Sequence, residues 1–225
     1  MNKTLIFVKR SLNLSKILTG MGVGLSALGI FVIFALSLLA GSSSAPVFVL
    51  PVSFMSLGLL IFTSPVTLLY VYDKNNGVLE YLLSLGWNQS DVFKQYLKAA
   101  LFLGVILFIG QAVAILIAGA IVGSTVFVLD LLMLTITAFM GFSVISFVTV
   151  AMMAFSSLQK QRVGANTPLG MALGVPFIFP TFYLGFLGFS PELIIVLALC
   201  TLAAALSVTL LLLSSRLIRR EKMLP

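Results

Sequence analysis

The sequence predicts an all-α integral membrane protein with six transmembrane helices, an amphipathic N-terminal helix and a cytoplasmic helical hairpin between spans 2 and 3. Three observations carry this reading. The 225 residues are 60% hydrophobic and only 8% charged, too few charges to cover a soluble domain of this size. The apolar residues fall into runs of spanning length, separated by short polar joints. The 13 Lys and Arg are confined to four places, leaving the alternate joints without a cation.

Residues 1–16 form a basic amphipathic stretch. Leu5, Val8 and Leu12 cluster on one side with Phe7 and Leu14 nearby, and Lys9, Asn13 and Lys16 group on the other, with Ile6 out of pattern. That suits a helix lying in the membrane interface with its cations toward headgroups. A signal peptide is disfavoured, because the apolar run at 17–40 far exceeds the roughly 7–15 residues of a signal core. The run at 17–40 is the first span. Gly20 and Gly24, four apart, read either as a close-packing motif or as ordinary membrane-helix glycines. The second span is 47–72, with Pro51 and Pro65 as candidate kinks.

Residues 73–98 are polar and hold two turn signals. Asn76-Gly77 makes a turn, since Gly accepts a positive φ without steric cost. Val78 to Leu85 reads as a short helix with Val78, Leu82 and Leu85 on one face, Leu79 and Leu83 beside them, and Glu80 and Ser84 opposite. Gly86 is placed to end it in the left-handed conformation. Asn88, with Asp91 three residues on, resembles an N-cap with a variant capping box. The helix so opened runs into the third span, 99–122, where Gln111 is expected to hydrogen-bond a neighbouring helix. The tip of the hairpin is Gly86, Trp87 and Asn88, and Trp87 is the only Trp.

A short joint ending at Asp130 precedes the fourth span, 131–155, whose Ser and Thr hydroxyls can bond back to their own helix. A polar joint at 156–166 carries Lys160 and Arg162. The fifth span, 167–184, is broken by Pro176 and Pro180. Ser190-Pro191-Glu192 is a helix start, opening the sixth span at 193–213. Arg216, Arg219, Arg220 and Lys222 follow. The cationic joints therefore share one side with both termini, which the positive-inside rule makes cytoplasmic. A multi-pass protein of the plasma membrane is expected.

The chain contains no His, and its one Cys, Cys200, lies in an apolar run, so no metal centre or disulfide framework is expected. The span cores carry no Asp, Glu, Lys, Arg or His, which disfavours a channel or an ion-coupled transporter. Neither a catalytic nucleophile with its base nor a G-x-x-x-x-G-K-[S/T] loop is present, so the chain is not expected to be an enzyme or to bind ATP itself. The net charge of +7 points to anionic headgroups of the lipid bilayer rather than to nucleic acid.

The run Gly77-Val78-Leu79-Glu80-Tyr81-Leu82-Leu83-Ser84, with the turn at Gly86, the cap at Asn88, the acid at Asp91 and the charged pair Asp73-Lys74, resembles the cytoplasmic loop of type-2 ABC transporter permeases. It departs from that pattern at Gly86 in place of Pro, Asn88 in place of Ser, and Tyr96 where Lys is common; Lys94 and Lys98 flank the last position. The resemblance implies an exporter permease that dimerises, as a homodimer or related heterodimer, each copy binding a soluble ABC ATP-binding subunit that holds ATP and Mg. It implies that the hairpin is a coupling helix, with Leu79, Glu80, Leu83, Gly86, Trp87, Asn88 and Asp91 at the ATPase interface and Glu80 paired with a base on the ATPase or on the N-terminal helix. Glu80 also reads as an ordinary solvated helix charge. Two other readings stand beside this one: a haem-exporter-like permease of cytochrome c maturation, and a non-transporting membrane scaffold.

Overall fold

The computed structural model describes residues 3–40, 49–122 and 127–156, together with helical residues at 198, 201–202, 204–206 and 208–209. The described residues are helices and the turns between them. In chain order they are α1 (Lys3–Leu14), α2 (Lys16–Ala40), α3 (Val49–Asn75), α4 (Val78–Ser84), α5 (Gln89–Val122) and α6 (Phe127–Ser156). Four of these, α2, α3, α5 and α6, are long and apolar enough to cross a membrane, as in a multi-pass membrane protein. The expected fifth and sixth spans lie outside the described residues, apart from scattered helical positions in the sixth.

The bundle is built around α3. Within the apolar windows, 83% of α3 is buried against 22% of α2 and 28% of α5, so α3 is the inner helix and the other two present wide outer faces. It packs against α1, α2, α4, α5 and α6. Pro65 sits inside α3, where it cannot donate to the carbonyl of Ile61. The neighbouring Ser64 hydroxyl donates to that same carbonyl at 2.7 Å, so the group left over by proline is satisfied within the helix. Pro51 lies in the first turn, where its missing N–H costs nothing.

The close approach of α2 to α3 uses different glycines from those expected. Gly20 and Gly24 are exposed, and a Cβ on either would meet nothing. The contact is made by Gly22, Ser26 and Gly29, which share the opposite face. A Cβ on Gly58 would lie 2.3 Å from Ser26 Oγ and 2.8 Å from the Gly22 carbonyl oxygen, and one on Gly22 would lie 2.6 Å from the backbone N of Phe62. Backbones this close give the dense packing that holds helices together without a hydrophobic driving force. Gln111 joins the same layer, donating to Ser26 Oγ at 2.9 Å and to the Met55 carbonyl at 3.2 Å, as its mid-span position predicted. Ser146 bonds back to the carbonyl of Phe142 at 2.7 Å. Asp130, expected in a joint, falls in the first turn of α6.

Candidate functional site

The expected hairpin forms as a short helix between two left-handed glycines. Gly77 has φ 72° and Gly86 φ 84°, the positive-φ residues among those described. At the end of α4 the Gly86 N–H donates to the Leu83 carbonyl at 3.1 Å and the Trp87 N–H to the Leu82 carbonyl at 3.2 Å. This pair of bonds is a Schellman motif, with Gly86 at the left-handed position. Asn88 then opens α5: its carbonyl accepts from the N–H groups of Asp91 and Val92 at 3.0 and 3.1 Å. Asp91 and Glu80 stand in the first turns of α5 and α4, where a negative charge complements the helix dipole.

The apolar side of α4 is occupied by the chain itself. Leu79 and Leu83 are buried in a cluster that also holds Phe7 and Val8 of α1, Tyr70 of α3, and Val92, Phe93 and Tyr96 of α5. Trp87 and Leu82 pack against its edge. Of the seven residues expected at a partner surface, Gly86, Asn88 and Asp91 are exposed, Glu80 and Trp87 are half-buried, and Leu79 and Leu83 face inward. Glu80 forms no ion pair among the described residues; its carboxylate lies near Gly77, over the start of its own helix. Tyr81 and Leu85 are 63% and 58% exposed, large apolar groups that the sequence reading left off the outer surface. Leu85 keeps the helical register, its N–H donating to the Tyr81 carbonyl at 3.1 Å, so it shares the outer face with Tyr81, opposite Leu79 and Leu83. The signal for Tyr81 was its polar hydroxyl between two inward leucines.

Beneath the hairpin lies a charge cluster that sequence reasoning missed. Asp73, near the end of α3, is fully buried, and one carboxylate oxygen accepts from the Arg10 guanidinium at 2.5 Å. The other accepts from the Tyr96 hydroxyl at 2.6 Å. The rings of Phe7 and Tyr70 meet the Tyr96 ring edge-on, with centroids 4.8 and 5.2 Å away. Thr4 of α1 donates to Gln95 of α5 at 3.1 Å. Thus α1 is bolted to α3 and α5 by one ion pair and an aromatic stack; Lys9 stays exposed, and Leu5 and Ile6 point away from the core. Arg10 supplies the cation to Asp73, Tyr96 the second donor, while Lys94 and Lys98 remain outside. The linear spacing of Arg10 and Asp73, 63 residues, gave no cue to the pair.

The hairpin tip, α1 and the buried charge cluster therefore form one unit at the basic end of the bundle. Among the described residues no group of side chains has metal-ligating character. Buried Ser56 Oγ, Gln111 Oε1 and Thr137 Oγ1 have no hydrogen-bond partner among the described residues, and a water or an entering polar group would satisfy them. The chain matches no protein-family model, no curated protein and no solved structure.

Proposed function

We propose that this protein is the membrane-spanning subunit of an ATP-driven exporter of the type-2 ABC permease kind, pairing with a second permease copy and driven by a separate ATP-binding subunit that carries ATP and Mg. The observation that supports this reading is the rigid mounting of α4. A connecting loop needs no Schellman cap, no two inward leucines and no shared core with α1. A lever needs all three, because a push on its outer face must reach the spans without being lost in local bending. The motif that resembles the family's coupling helix is the same segment. In this reading the push arrives at Tyr81, Ser84, Leu85, Gly86 and Asn88, with Glu80, Trp87 and Asp91 at the margin. Leu79 and Leu83 act from inside, passing it to α1 and α5 through their common cluster.

The test is purification of the tagged full chain in mild detergent, followed by identification of the proteins that accompany it. We expect stoichiometric recovery of an ATPase with a phosphate-binding loop. Tyr81→Asp with Leu85→Asp should abolish that recovery and any stimulated ATP hydrolysis while leaving the chain inserted, since both side chains are exposed. Recovery of the permease alone, under conditions that preserve known complexes, would replace this reading by that of a membrane scaffold.

A further inference from the structure

We infer that the groove between α1 and α5 is a binding site for an anionic phospholipid. The groove encloses about 230 Å³ and is lined by Thr4 and Leu5 of α1 and by Lys98 and Phe102 of α5. Its chemistry changes along its length in the order that a phospholipid presents. Lys98 supplies an ammonium at the level where the uninterrupted apolar run of α5 begins, and it is exposed, with no ion pair among the described residues. Lys94 stands one turn back on the same face, also exposed. The Thr4 hydroxyl gives its proton to Gln95, so among the lining side chains Lys98 is the donor left for an anion. Leu5 and Phe102, 53% and 45% exposed, make the apolar wall.

Beyond Phe102 the same side of α5 continues with Ile106, Ile109 and Val113, 47%, 55% and 50% exposed. These follow at steps of three and four residues, so they form one stripe along the helix. A phosphate seated at Lys98 would lay its acyl chain down that stripe, and a second cation at Lys94 would discriminate against a zwitterionic headgroup. A soluble phosphate ester would leave the Leu5–Phe102 wall and the stripe uncovered, which favours a lipid as the source of the anion. This inference uses no part of the ATPase reading and stands or falls separately from it.

The experiment is native mass spectrometry of the purified full chain in mild detergent, titrated with phosphatidylglycerol or phosphatidylcholine. Phosphatidylglycerol should be retained in preference, and Lys98→Gln should lower its retention about fivefold, the effect of removing one cation next to an anionic lipid. Retention of phosphatidylcholine should not change. Lys98→Arg should restore binding, and Lys9→Gln, an exposed cation off the groove, should leave it intact. Equal retention of the two lipids, or unchanged retention in Lys98→Gln, overturns the inference. Displacement of the bound lipid by excess glycerol phosphate would also overturn it, by making the site one for a free anion.

Discussion

Asp73 sits where a carboxylate is most costly, fully buried at the end of a mostly apolar helix, and it is held there by two donors from two other helices. Breaking a fully buried ion pair costs about 3–5 kcal/mol. Arg10 is 38% exposed, so water takes part of its charge and a coupling of about 1–3 kcal/mol is expected here. A double-mutant cycle over Arg10→Gln and Asp73→Asn, read from thermal unfolding by circular dichroism, measures it; additive effects would mean that the pair holds nothing. Tyr96→Phe should cost about 1.5–3 kcal/mol on its own, since it removes a donor to a charged acceptor. None of this was legible beforehand. Asp73 and Lys74 fell in the polar segment after the second span, because that span was expected to stop at Tyr72 and α3 instead runs to Asn75. One extra turn turned a solvated acid into a buried one.

At the scale of elements, local chemistry was the more readable part. Glycines at 77 and 86 announced their positive φ, Asn88 announced the start of α5, and apolar length announced α2, α3, α5 and α6. Faces were harder. Gly20 and Gly24 have the spacing of a packing motif, yet Gly22, Ser26 and Gly29 make the contact, one residue pair away on the other side of the wheel. A helix that is apolar all round gives no cue to which side meets protein and which meets lipid. The same limit hid the inward turn of Leu79 and Leu83, since an apolar face on α4 says only that something covers it. The two glycine sets separate in one experiment. Gly58→Ala, whose Cβ would meet Ser26 and the Gly22 carbonyl, should destabilise the bundle by about 1–3 kcal/mol, as overpacking does. Gly20→Ala and Gly24→Ala should be neutral or slightly stabilising, because each gains helix propensity in open space. Thermal unfolding in one detergent ranks all three, and equal losses at all three positions would contradict the packing described here.

At the scale of the whole molecule, the distribution of cations predicts a topology that a labelling experiment can test. With Cys200 replaced by Ala, a single Cys introduced at Asn88 should react with a membrane-impermeant maleimide only after the cells are opened. Labelling of intact cells would place the α4 end outside and reverse the positive-inside assignment. That end is also where α1, α4 and the head of α5 share one cluster, on which the hairpin is seated. Trp87 lies on the edge of that cluster, half-buried, and no other indole exists in the chain. The native protein therefore carries its own optical gauge: any event that lifts the hairpin off its seat would shift the indole emission to longer wavelength, without a label and from a single known position.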